Sequence, residues 1–254
     1  MYTRMLSATV IALNEEKDLP RCLESLKFAD EVIVVDSGSA DRTVEIAKAM
    51  GARVVVEPWH GYGAQKNFAM RQARNPWVLN LDADEVVTER LREEILREIR
   101  SEKPASGYAV ARKTFYMGRW IRYGGWYPNY VTRLARKDRS SWSEPNVHEE
   151  LKIEGETRKL REPLLHYTFY DIADQVRTNI RYAEQGAADL REKGKRPSVV
   201  KLLVKPFAKF LETYLFKLGF LDGLPGFMIS VNAAYSVFMK HAFLIERMRP
   251  KDLP

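Results

Sequence analysis

The first hundred residues alternate between short apolar runs and stretches of helical spacing. The runs are Leu6–Leu13, Glu31–Asp36, Arg53–Glu57 and Trp77–Asp82. Between them Glu16–Lys27, Asp41–Met50 and Tyr62–Arg74 read as helices, and Thr88–Arg100 follows as a fourth. In the first of these Leu19, Leu23 and Leu26 share one side. Runs apolar on both faces are strands buried on both faces. Strands of that kind joined by helices form a mostly parallel sheet with helical crossovers, an α/β fold of Rossmann-like type. Ligands of such sheets sit at the C-terminal ends of the strands. Those ends read LNEE, VDSGSAD and LDADE, so the expected site is acidic. No G-x-G-x-x-G follows the first strand, which argues against an ordinary dinucleotide fold.

The texture changes at Gly107. Gly107–Phe115, Tyr130–Arg136, Val147–Leu151 and Arg158–His166 read as strands around an aromatic- and arginine-rich loop, and Asp171–Lys193 as a long polar helix. Gly194 to Pro197 has linker composition. The expected division is a catalytic domain over 1–170 and a C-terminal helical appendage over 171–254. One cysteine, Cys22, excludes a disulfide scaffold and argues against a cysteine zinc site. The apolar stretch near the N-terminus is short and ends at acids, unlike a secretory signal, so a cytosolic setting is expected. The net charge of +7 lies wholly after residue 190, where 12 Lys and Arg face 5 Asp and Glu. A neutral body with a basic end suggests an anionic surface, membrane or nucleic acid, as partner.

Asp82-Ala83-Asp84 ends the fourth strand. Residues i and i+2 of extended chain face the same way, so both carboxylates can converge on one divalent cation. Hard oxygen ligands suit Mg²⁺ or Mn²⁺, which bridge substrate phosphates. The plainer alternative makes Asp84 a helix cap and Asp82 a turn residue. Asp36 can accept a base N–H from a nucleotide, while Ser39 or Asp41 caps the next helix. Asn14-Glu15-Glu16 ends the first strand in the equivalent place. In Gly61–Asn67 (GYGAQKN) the glycines permit a tight backbone and Lys66 can reach a phosphate, without the P-loop pattern.

The succession ATVIALNEEKDLPRCLESL, EVIVVDSGSADRT, GYGAQKNFA, WVLNLDADE resembles the family 2 glycosyltransferases of GT-A fold, over roughly residues 6–170. NLDADE followed by WSEPNVHEEL is most similar to the bacterial lipopolysaccharide core β-glucosyltransferase branch. The resemblance implies that Leu13, Asn14 and Glu16 line a nucleotide pocket and that Asp36 contacts uracil. It puts Lys66 near base or diphosphate, Asp82 at the ribose and Asp84 on the metal. The family's catalytic base falls at His148-Glu149-Glu150, with Glu149 favoured; adjacent residues of extended chain face opposite ways, so Glu149 or Glu150 serves, not both. A late histidine completes the metal shell in some such enzymes, and His166 or His148 is the candidate. His60 and His241 read as structural. The implied activity is inverting, metal-dependent transfer from a nucleoside-diphosphate sugar, UDP-glucose-like, to a membrane-associated glycan such as lipopolysaccharide core. Two alternatives stand beside it: transfer to polyprenyl phosphate, and a nucleic-acid-binding module. The second leaves the clustered acids unexplained.

Residues 112–136 interleave aromatics with arginines. Aromatic faces stack on sugars and arginines hold phosphates, so Arg119, Trp120, Arg122 and Trp126 are candidate acceptor contacts. Packing of the aromatics in a small core is the competing expectation. In SVVKLLVKPFAKFLETYLFK (198–217), Lys201, Lys205, Lys209 and Glu212 fall in a stripe about 80° wide. Nearly everything else is apolar, as in a helix lying on a membrane surface. Leu218–Met239 has the length of a membrane span, but Pro225, three glycines and Asn232 interrupt it. The expected setting is peripheral, on the cytoplasmic face of the inner membrane. Packing of these helices on the protein body or on a second copy, and a true span, are the alternatives.

Overall fold

The computed structural model describes residues 6–143, 149–169 and 171–248. They form two compact units, 6–113 with 129–167 and 114–128 with 168–248. The strands are β1 Leu6–Ala12, β2 Glu31–Asp36, β3 Arg53–Val56, β4 Trp77–Asp82, β5 Glu85–Val86, β6 Gly107–Tyr116, β7 Arg119–Trp120, β8 Asn129–Arg136, β9 Ser140–Trp142, β10 Leu151–Ile153, β11 Thr157–Lys159 and β12 Leu164–His166. The helices are α1 Leu19–Ser25, α2 Thr43–Ala49, α3 Tyr62–Gln72, α4 Glu89–Glu98, α5 Ile172–Glu192, α6 Val199–Leu211 and α7 Gly223–Arg247.

The first unit is an α/β sheet of order β3-β2-β1-β4-β8-β6-β12-β5, with β11 beside β6. Strands β1 to β4 are parallel, as their two-sided apolar pattern predicts. Beyond β4 the direction reverses. β8 runs antiparallel to β4 and β6 antiparallel to β8, so the sheet is mixed. Two of the expected strands differ. Arg158–His166 breaks into β11 and β12 around Glu162-Pro163, where proline removes a ladder donor. Of the expected strand Val147–Leu151, residues 147 and 148 lie outside the described residues; of the three described, Leu151 alone is in a strand, β10. Helix α4 turns Leu91 and Ile95 into the core and is capped by Thr88, whose hydroxyl accepts the Leu91 N–H at 3.2 Å. Asp84 is therefore not the cap of this helix. Glu94 on the buried face accepts the N–H groups of Arg161 and Glu162 and ties the β11–β12 connection to α4.

The second unit contains β7, paired with the end of β6, and α5 to α7. Asp171 caps α5 by accepting the Asp174 N–H at 2.7 Å. Its small apolar core joins Tyr116, Ile121 and Ile229 to Trp126, Phe169 and Met228. Helix α7 runs through Pro225, which sits in the first turn where its missing N–H has no intrahelical partner to lose. A Cβ at Gly226 would meet the Gly219 carbonyl oxygen at 1.9 Å, so this turn packs too closely for any side chain. Buried Asp222 accepts the N–H groups of Arg122 and Tyr123 at 3.0 and 2.8 Å, and Arg119 donates to its carbonyl at 3.0 Å. Asp222→Ala strands two amides and should cost about 1–3 kcal/mol. Thermal unfolding should show the loss, and hydrogen exchange should speed up at residues 122 and 123.

Candidate active site

The C-terminal ends of β1, β2 and β4 carry the acids that the sequence places there. After β1, Leu13 is exposed and Asn14 adopts a left-handed conformation at φ +58°, which asparagine tolerates better than most residues. Asn14 donates its N–H to Ser39 Oγ and accepts the Ala40 N–H on Oδ1, both at 2.8 Å. The Glu15 N–H goes to Thr43 Oγ1 at 2.7 Å, and Glu16 Oε2 accepts the Arg42 N–H at 3.2 Å. The loops after β1 and β2 are thereby laced together. Asp36 is buried and accepts from the N–H groups of Gly38 and Ser39 and from the Ser39 hydroxyl. Three of a carboxylate's roughly four acceptor positions are thus given to its own loop. Asp36 shapes the loop after β2 in this structure.

In GYGAQKN three consecutive side chains diverge around α3 and each makes a separate tie. Gln65 donates to Ser37 Oγ and to the Glu57 carbonyl, both at 3.1 Å. Asn67 exchanges two hydrogen bonds with the backbone of Trp142, at 2.9 and 2.8 Å, and so seats β9 on α3. β9 pairs with β10, and Ser143 and Glu150 extend the pairing. That ribbon presents Glu149 to Lys66, whose Nζ lies 2.9 Å from Glu149 Oε1 and 3.0 Å from Asp82 Oδ1. Glu150 is exposed and its N–H is held by Ser143 Oγ. Lys66 is buried, with its ammonium 4.7 Å from the centre of the Trp142 ring.

Beneath Asp82 lies an ionic network that the sequence did not suggest. Arg133 on β8 donates to Asp82 Oδ2 and, at 2.6 Å, to fully buried Glu85. Arg112 stands 3.7 Å from Glu85, and Glu85 Oε2 accepts the Asp82 N–H at 3.1 Å. Burial acts to raise the Asp82 carboxyl, but Arg133 and Lys66 beside it hold it well below the usual carboxylate range. The carboxylates of Asp82 and Glu85 hold Arg133 above its ordinary value despite burial. Arg133 and Arg112 belong to the aromatic-arginine segment read from sequence as acceptor-facing; in the fold they neutralise acids.

Asp84 is different. Its Oδ1 is buried and has no hydrogen-bond partner, and its Oδ2 lies 3.2 Å from His166 Nε2. The antiparallel pairing of β12 with β5, with His166 opposite Glu85, brings the histidine there. A carboxylate with one unsatisfied buried oxygen beside an imidazole fits a divalent cation such as Mn²⁺ or Mg²⁺. Among the described residues no cluster of three His, Cys, Asp or Glu would hold an ion alone. A cation at Asp84 and His166 would therefore draw further ligands from water and substrate phosphate, the habit of Mg²⁺ in such sites. His148 lies outside the described residues. Glu15, which the sequence did not single out, is pushed up to about 7 by burial and by the carboxylates of Asp84, Asp18, Asp41 and Asp82. Three separate loops create that repulsion, so no local pattern announces it.

The four candidate acceptor residues lie in the second unit. Arg119 is bound to Asp222, Trp120 packs edge-on against Phe115 with centroids 5.1 Å apart, and Trp126 joins Tyr116 and Phe169. Arg122 has an exposed side chain.

A mixed α/β sheet whose parallel half ends in acids, with a carboxylate beside an imidazole, defines the class of α/β proteins that carry an acidic site at their strand ends. The chain matches the family model for glycosyl transferase family 2 over residues 7–152 and belongs to that family. It is 33% identical to the lipopolysaccharide core biosynthesis glycosyltransferase LpsC of Rhizobium meliloti, over 98% of this chain and 95% of the relative. It is also 33% identical to an uncharacterized glycosyltransferase of Rickettsia bellii, covering 97% and 88%. Among solved structures, S. aureus TarS 1-349 aligns over 96% of this chain and 90% of that one at 15% identity, TM-score 0.48. Glucosyl-3-phosphoglycerate synthase from Mycobacterium tuberculosis, with Mn²⁺, UDP and glucosyl-3-phosphoglycerate, aligns over 45% of each chain at 29% identity, TM-score 0.35.

The raised Glu15 pKa has a stability consequence. Its folded value lies above the ordinary 4.5, so its contribution is full below about 4.5 and is lost as pH rises through about 7. Wild type should lose about 1–2 kcal/mol across that window, after allowance for solvent screening. Glu15→Gln should flatten this part of the profile in a series of thermal melts.

Proposed function

We propose that the protein is an inverting glycosyltransferase that moves a hexose from a UDP-linked donor, UDP-glucose-like, to a hydroxyl of a membrane-associated glycan such as lipopolysaccharide core. The unpartnered buried oxygen of Asp84, whose other oxygen lies 3.2 Å from His166, carries this reading. Similarity to a lipopolysaccharide core glycosyltransferase supports the acceptor class. The proposed setting is the cytoplasmic face of the inner membrane, with catalysis assigned to 1–170 and membrane association to 171–254.

Leu13, Asn14 and Glu16 line the base pocket in this reading, against the loop that Asp36 shapes. Asp82, fixed by Arg133, meets the ribose. Asp84 and His166 hold Mg²⁺ or Mn²⁺, which when bound offsets charge developing on the diphosphate leaving group. Lys66 neutralises Asp82 and Glu149 in this structure. An incoming diphosphate competes for that ammonium and so releases Glu149 to accept the proton of the acceptor hydroxyl. The hydroxyl attacks the anomeric carbon opposite the leaving group, and one displacement inverts the centre. Arg122 leads the proposed acceptor contacts; Arg119, Trp120 and Trp126 support it from the packed side of the same loop.

Asp84→Ala should reduce metal-stimulated transfer to background without loss of fold, and excess chelator should do the same to wild type. Undiminished turnover in chelator would contradict the metal assignment. Glu149→Gln should keep donor binding and lose about 10²–10⁴-fold in kcat, with little change in KM. Near-normal turnover of Glu149→Gln with a crippled Glu150→Gln would move the base to the neighbouring residue. If both variants turn over normally, the acceptor is a group that needs no base, such as a phosphate.

A further inference from the structure

Helix α6 wears its apolar side outward. Val199, Val200, Leu203, Val204 and Phe207 are each 57–69% exposed, and no residue of α6 is fully buried. At about 100° per residue, these five and Leu211 span one broad face. The surface continues through ring contacts at the end of the helix. Phe210 packs edge-on to Phe227 and Tyr214 to Phe220, and Phe220 and Phe227 are themselves 43% and 40% exposed. Phe216, at 80%, and Leu215 extend it. A soluble protein rarely leaves so much contiguous apolar surface without a partner for it.

The charges beside this face point to the kind of partner. Lys201 and Lys205 lie about 60° and 100° beyond Val204, on one side of the face, and have no acidic partner among the described residues, whereas Lys209 is paired with Glu212 at 3.0 Å. Burial, Lys205 and Lys209 all lower the Lys240 ammonium, so the lysine edge of α6 is already crowded with cations where it meets α7. A second copy of the chain would bring more of the same charge to this crowding. An anionic lipid surface relieves it and takes the apolar side chains as well.

Helix α7 does not have this character. Gly219–Arg247 is long and apolar enough to cross a membrane, yet its polar residues are turned into the unit. Asn232 donates to Gln175 of α5 at 2.9 Å, and Tyr116 donates to the same oxygen. Ser230 and His241 are buried. A span would have to break these contacts.

We infer that the outward face of α6, continued by Leu215, Phe216, Phe220 and Phe227, is a docking surface for a bilayer containing anionic phospholipid, with Lys201 and Lys205 reaching the headgroups and α7 remaining packed inside the unit. It rests on the proposed function only in supplying a reason for a membrane; the surface itself is argued from exposure and charge.

Vesicle flotation with the full chain tests it, using phosphatidylcholine alone and phosphatidylcholine with phosphatidylglycerol. Wild type should float with the mixed vesicles, and added salt should weaken this without abolishing it, because the apolar part is unscreened. Lys201→Glu/Lys205→Glu should lower partitioning to mixed vesicles by roughly 25-fold or more, at about fivefold per surface lysine. Leu203→Glu/Phe207→Glu should abolish flotation with both vesicle types. All four positions are exposed, so thermal unfolding and transfer to a soluble acceptor analogue should be unchanged in both variants. Negligible flotation of wild type overturns the inference, as does flotation that neither variant alters. A concentration-dependent increase in mass by sedimentation, abolished by Leu203→Glu/Phe207→Glu in a wild-type protein that does not float, gives the face to a second copy. Flotation needs no catalysis, so failure of the transferase reading would show in the transfer assay alone.

Discussion

The salt bridge from Arg133 to Asp82 and Glu85 organises the strand-end site of the first unit. Glu85 is wholly buried and Asp82 ends a central strand, and one guanidinium is hydrogen-bonded to both. Arg133 supplies it from β8, Arg112 assists at Glu85, and Lys66 completes the set by joining Asp82 to Glu149. Three carboxylates and three cations make this part of the site neutral within itself. Removing Arg133 would take its nearest cation from buried Glu85, a loss on the scale of about 3–5 kcal/mol for a broken buried pair.

What that network leaves out is as informative as what it contains. Asp84 stands beside it with one satisfied oxygen and one buried oxygen without a partner. Glu15 is pushed up first by burial and then by Asp84, Asp18, Asp41 and Asp82, which together set an excess of negative charge at the strand ends. The excess is local, on one side of Asp82, and His166 is the group that faces it. A divalent cation there would remove the repulsion and give a diphosphate its counter-charge.

Much of this was legible in the chain. The buried runs before Asn14, Asp36 and Asp82 are local patterns, and they set the parallel half of the sheet and its acidic ends. The Asp82–Asp84 spacing made both carboxylates site candidates, and Lys66 was readable as a cation near them. The antiparallel half was not legible in the same way, because β8 takes its place beside β4 through a long-range pairing, Leu79 opposite Leu134. Arg133 therefore read, with its segment, as an acceptor-facing arginine. Asn67 read as one more polar residue of a helix, although it fixes the ribbon that carries Glu149. Arg119 and Trp126 had the composition of glycan contacts, yet they pack on Asp222 and on Tyr116 and Phe169, ties that run about a hundred residues along the chain in one case.

Calorimetric titration of UDP into the full chain, with Mn²⁺ and then with excess chelator, tests the central claim most directly. If Asp84 and His166 complete the diphosphate site through a cation, UDP should bind with Mn²⁺ and lose most of its affinity in chelator. Asp84→Asn should behave in Mn²⁺ as wild type does in chelator. Equal UDP affinity with and without the metal, unchanged by Asp84→Asn, would contradict the account.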